Sequence, residues 1–242
     1  MLAVVFRVAV PEPARGAQES SGAASEPLRS LWDVGRIMWA QPAVRQLLAA
    51  LGVSGFVGYA VTSWSASVMI RSHGATLAQA GTWLACAAGI GGALGLVVAG
   101  QLANRVAQRS PNACLIVAAG TSVLVAVGLV FTLTAGSQTA AFLWLFLPCG
   151  LSAAFLSPSI AALHGMVPAN ARGTASSLLS VVVNVAGLGI GPVVIGRLSD
   201  VRAHGAGSDS LRQACLWLLP AASVWASVHY LLASRTAAGP RA

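Results

Sequence analysis

Residues 173–198 read GTASSLLSVVVNVAGLGIGPVVIGRL and carry no ionisable side chain before Arg197. At about 1.5 Å per residue, this run makes a helix long enough to cross a hydrocarbon core roughly 30 Å thick. Lipid offers no partner to an open peptide group, so a spanning helix is the expected form. Five further stretches have the same character, at about 46–70, 77–103, 112–135, 138–163 and 212–233. Composition supports this reading: 56% of the chain is hydrophobic and 8% charged, with mean hydropathy +0.76. Soluble domains carry about a quarter charged residues. The expected fold class is therefore all-α integral membrane, a six-helix transmembrane bundle.

Plotted at 100° per residue, Gly173, Ser176, Ser177, Ser180, Asn184, Gly187 and Gly191 fall on one stripe of the fifth span, with Leu178, Leu179, Val182, Val185 and Val193 opposite. Small residues let helix backbones approach, and Gly187 with Gly191 has GxxxG spacing. The stripe is expected to be a helix-contact surface and the Val/Leu face to meet lipid. The second span repeats the pattern with Gly81, Ala85, Ala88, Gly92, Gly95 and Ala99. On the first span Phe56, Tyr59, Ser63 and Ser67 share a face; on the fourth, Trp144, Pro148, Leu151, Phe155 and Pro158 do.

The segment Val167-Pro-Ala-Asn-Ala-Arg172-Gly-Thr-Ala-Ser-Ser177, followed by Asn184, Gly191-Pro192, Gly196 and Leu198-Ser199-Asp200, resembles the eleventh helix of major facilitator superfamily (MFS) transporters. The nearest branch is the spinster-like one. Those proteins have twelve helices in two halves, and the resemblance covers the second half, helices seven to twelve. It implies half of an MFS fold, a fragment whose six-helix N-terminal half is missing or separately encoded, and secondary transport of a small amphipathic or organic solute by alternating access.

The resemblance also implies roles. The family's seventh and tenth helices line the substrate cavity, which maps onto Phe56, Tyr59, Ser63, Ser67, Trp144 and Phe155. Its eighth and eleventh abut the other half, which maps onto Gly81, Ala85, Gly92, Gly95, Ser180, Asn184, Gly187 and Gly191. Gly100, Asn104, Arg105 and Arg109, with Arg172, resemble its cytoplasmic loop motif. Asn104 stands where an acid is usual and cannot make the charge-assisted bond a carboxylate would make with arginine.

The net charge of +8 comes from arginine alone, and the arginines lie in loops and tails rather than among aromatics, which argues against nucleic-acid binding. Counted by compartment, Arg7, Arg15, Arg29, Arg36, Arg45, Arg105, Arg109, Arg172, Arg235 and Arg241 oppose Arg71, Arg197, Arg202 and Arg212. This excess puts both termini in the cytoplasm, in a bacterial inner (plasma) membrane. Residues 1–45 are expected to form a cytoplasmic tail and linker with an interfacial helix at 32–45, residues 46–233 the membrane domain, and residues 234–242 a second tail. Met1–Val10 is too short an apolar run to span.

Cys86, Cys114, Cys149 and Cys215 are scattered, without metal-ligand spacing, and nothing in the sequence points to a cofactor. The six acids fall in loops or tails, which leaves His229 as the intramembrane titratable candidate; Tyr230 beside it suggests an interfacial anchor. Gly150-Leu-Ser152-Ala lacks the second glycine of a nucleophile elbow, so an enzyme is disfavoured. The partners expected are the lipid bilayer, a small-molecule substrate and either the missing half or a second copy. The alternatives are a half-size six-helix transporter acting as a homodimer and a non-transporting membrane scaffold.

Overall fold

The computed structural model describes residues 30–108 and 113–237, and these are helices joined by short turns. Ser30 caps α1 (Leu31–Ala40) by accepting from the Asp33 amide. Gln41 is extended, as a residue before proline tends to be, and Pro42 opens α2 (Pro42–His73) where its missing N–H costs nothing. The interfacial helix therefore stops at Ala40, and the residues from Pro42 to Arg45 belong to the first span. Trp32 and Trp39 of α1 are exposed, while Val34 and Met38 are buried in a core shared with Leu47, Ala175 and Leu179. Gly74, at φ +67°, closes α2.

The second span starts with a Thr76–Gln79 capping box at α3 (Leu77–Cys86), passes through a widened π-type turn at Ala87–Gly91, and continues as α4 (Gly92–Ala107). The third is α5 (Cys114–Thr134). The fourth comprises α6 (Gln138–Leu151) and α7 (Leu156–Met166), with a turn over residues 152–155. Pro148 and Pro158 flank that interruption; Pro148, inside α6, removes one intrahelical donor, whereas Pro158 sits in the first turn of α7, where the N–H would have no intrahelical partner. The fifth joins α8 (Arg172–Asn184) to α9 (Gly191–Ala206) through a second widened turn, Val185–Ile190. The sixth is centred on α10 (Ser210–Ala237).

Six segments are long and apolar enough to cross a membrane. They are unequally enclosed: over the apolar 18-residue stretch of each, 61% of residues are buried in the third span, against 17% in the second and 22% in the fifth. The described bundle thus encloses few residues of the second and fifth spans. α10 packs along both α2 and α5. At the end of the bundle away from α1, Arg212 holds Asp209 through two bonds and also donates to the Leu133 carbonyl at 2.9 Å, tying spans three and six.

Candidate functional site

Spans one and five meet backbone to backbone. A Cβ added at Gly187 would overlap the Tyr59 ring and stand 3.0 Å from the Gly55 carbonyl oxygen; one at Gly191 would stand 2.9 Å from that of Phe56. Both glycines are buried. The sequence pattern assigns them to a contact with another half or another copy, but they pack span five onto span one of the same chain. The expected stripe assumes an uninterrupted 3.6-residue helix, whereas the turn at Val185–Ile190 adds a residue and rotates the rest of the span by roughly 100°. Before it, Ser180 and Asn184 remain exposed. The apolar face divides too: Val185 and Val193 are exposed, Leu179 is fully buried, and Val182 packs toward Gly52.

Span two splits in the same way at Ala87–Gly91. Before it Gly81 and Ala85 are exposed, and a Cβ at Gly81 would meet nothing within 4 Å; the same holds for Gly92, the first residue after it. Beyond the turn, Gly95 lies so close to Gly150 of span four that a Cβ would overlap the Gly150 carbonyl. Gly95 is therefore also an internal contact, and Ala99 is buried.

Between spans one, four and five lies a crevice of about 220 Å³, bordered by Tyr59, Thr62, Ser152, Phe155, Leu156 and Val183 among others. The Tyr59 hydroxyl donates to Asn184 Oδ1 at 3.0 Å, and the Asn184 amide donates to the Ser180 carbonyl at 2.8 Å. Tyr59 and Phe155 both border the crevice. Phe56 is half-buried against Gly191, while Ser63, exposed, and Ser67, half-buried, lie further along α2 and do not border it.

Trp144 corrects the expectation for span four. It stacks on Phe131 at 4.5 Å between centroids, both rings well exposed, and takes no part in the crevice. Trp144 stands eleven residues, roughly 16 Å, along the span from Phe155, with Pro148 between them against Gly128 of span three, so it lies beyond the end of the crevice. Replacing Trp144 by Leu is accordingly expected to leave substrate affinity within about twofold, measured beside a Tyr59→Ala variant.

Behind the crevice, and sharing Ser54, Gly58, Ser152 and Phe155 with it, is a smaller space of about 20 Å³ reaching Thr121, Ser122 and Ser223. No motif or spacing in the sequence marks these hydroxyls. The sequence suggests a headgroup-level position for Tyr230, but it is fully buried with its hydroxyl 3.3 Å from Ser54 Oγ. His229, about 100° round the helix, instead meets Gln46 Oε1 through Nδ1 and lies against Trp225.

In the loop motif Gly100 is half-buried, Asn104 and Arg105 are exposed, and Arg109 lies outside the described residues. Arg172 donates from Nε to the His164 carbonyl at 3.0 Å, and His164 Nε2 lies 2.7 Å from Ser176 Oγ. This clasp joins α7 to α8 where the chain turns back into the membrane.

The family model for the Major Facilitator Superfamily matches residues 1–192. The chain belongs to that superfamily. An MFS-type efflux pump of Mycolicibacterium smegmatis is 30% identical over 194 residues, covering 80% of this chain and 45% of the pump. Crystal structures of a bacterial homologue of the human lysosomal transporter Spinster share the fold. The inward-facing unoccupied form gives a TM-score of 0.62 at 24% identity, over 97% of this MFS chain and 56% of that one. The inward-facing occupied form gives 0.59 at 21%, over 98% and 54%. The chain thus spans about half the length of these relatives.

Proposed function

We propose that the chain is the C-terminal half of an MFS secondary carrier that moves a small amphipathic or organic solute by alternating access, with the Tyr59 crevice as its share of the substrate site. The observation that carries this is the pairing of that crevice with two poorly enclosed neighbouring spans, the second and fifth. The exposed residues Gly81, Ala85, Ser180 and Asn184 then form the surface that meets the N-terminal half, while Gly187, Gly191 and Gly95 set the internal frame.

The crevice is apolar, and no Asp, Glu, Lys or Arg borders it among the described residues. That lining suits an apolar or amphipathic solute better than a multivalent anion. Alternating access needs two bundles, so the chain alone is not expected to transport. Vesicles holding it together with the first six helices of the mycobacterial pump should take up a lipophilic dye, and Tyr59→Ala should lower uptake at least tenfold. Equal uptake by the chain as a strict monomer would overturn the half-carrier reading; cross-linking of Gly81→Cys to itself, with full activity, would favour a second copy.

The arginine excess supports both termini in the cytoplasm of the inner membrane. Single cysteines at Gln108 and Ser137, both exposed, are expected to react with an impermeant reagent from opposite faces. Reaction of both from one face would reject the arrangement.

A further inference from the structure

We infer that the space behind the Tyr59 crevice is a subsite for a terminal hydrogen-bond donor, a hydroxyl or an amine carried on an apolar body; this rests on the crevice being the substrate site. Five hydroxyl-bearing residues border the space, Ser54, Thr121, Ser122, Ser152 and Ser223, on four different spans. Each has one proton to give. Thr121 and Ser122 both donate to the Ala118 carbonyl at 2.9 Å, Ser152 to that of Cys149 at 2.8 Å, and Ser223 to that of Leu219 at 2.9 Å.

The Ser54 hydroxyl lies 3.3 Å from that of Tyr230, and either of the two can be the donor. Four of the five groups thus have their proton committed to their own helix and offer lone pairs to the space. The rest of the lining is apolar: Val57, Val125, Leu151 and Phe155.

Such a space discriminates by hydrogen-bond sense. An entering O–H or N–H finds several acceptors, whereas a carboxylate or phosphate would find at most the single proton of Ser54. The discrimination is sharp because a misfit leaves buried polar groups unpaired on both sides. At about 20 Å³ the space holds one water-sized group, enough for a terminal hydroxyl or ammonium. Gly58 borders both spaces, and a Cβ there would stand 3.4 Å from the Ser152 carbonyl oxygen.

The test uses the full chain in detergent at pH 7 and thermal unfolding with four probes of matched length: 1-dodecanol, dodecylamine, 1-methoxydodecane and dodecanoate. One or both donors should raise Tm at concentrations at least tenfold below the capped ether and the carboxylate. A preference for the amine alone would assign an ammonium, and a preference for both would assign any neutral or charged donor. In Ser122→Ala/Ser223→Ala the preference should vanish while Tyr59-dependent binding of all four probes remains. Should that variant not fold, Ser152→Ala must cut the preference at least threefold. Equal behaviour of the four probes, preference for dodecanoate, or a preference unchanged in these variants would overturn the subsite. Tyr59→Ala separates the two readings: probe binding lost with Tyr59 but blind to donors keeps the crevice and rejects the subsite, whereas binding indifferent to Tyr59 rejects the crevice itself.

Discussion

Gly95→Ala should destabilise the chain by about 3 kcal/mol, although it adds one methyl group and replaces the poorest non-proline helix former with the best. The new Cβ would overlap the carbonyl oxygen of Gly150, and that oxygen belongs to backbone that cannot rotate aside as a side chain would. Gly150 is equally hemmed in, since a Cβ there would stand 2.7 Å from the Gly91 carbonyl oxygen. Spans two and four must therefore separate along their whole crossing. Gly120→Ala is the matched control, because Gly120 lies within α5 with nothing within 4 Å of an added Cβ, and it should be neutral or slightly stabilising. Thermal unfolding in detergent measures both. Equal melting of Gly95→Ala and the parent would mean that the two backbones do not touch at this point.

The long apolar runs made the number of spans and their approximate limits legible, because a bilayer sets a length that the sequence must meet. The superfamily was legible in the loop and span around Arg172, Asn184 and Gly191. Rotational phase was not. Two widened turns, Ala87–Gly91 and Val185–Ile190, each reset the helical angle part-way through a span. Stripes drawn through them joined residues that face different ways: Asn184 outward and Gly187 inward, Ala85 open and Gly95 closed. Glycine-rich pairs such as Ala88-Gly89-Ile90-Gly91 and Ala186-Gly187-Leu188-Gly189 mark both widened turns, but the same composition serves ordinary close packing, so it does not announce a change of phase. The hydroxyl cluster was hidden for a related reason. Scattered Ser and Thr in apolar helices commonly bond their own backbone, and only tertiary placement gathers Ser54, Thr121, Ser122, Ser152 and Ser223 around one space.

Gly187→Leu tests whether the stripe is internal. A leucine at 187 would drive into the Tyr59 ring and toward the Gly55 carbonyl oxygen, so the loss should fall on the stability of the isolated chain, by about 3 kcal/mol, the upper range for overpacking. Insertion into the membrane should be unaffected, since leucine is favourable in lipid. Val185→Leu, two residues earlier on an exposed position, should change little. Tyr59→Ala in the Gly187→Leu background should recover part of the loss, because the ring is the nearest obstacle; it should not recover all of it, because the Gly55 carbonyl stays in place. The recovery isolates the pairwise contact in a way that neither single change can. If Gly187→Leu instead left the melting point unchanged and only weakened cross-linking to a supplied N-terminal half, span five would be turned outward beyond its widened turn, and both the internal frame and the crevice beside Tyr59 would have to be redrawn.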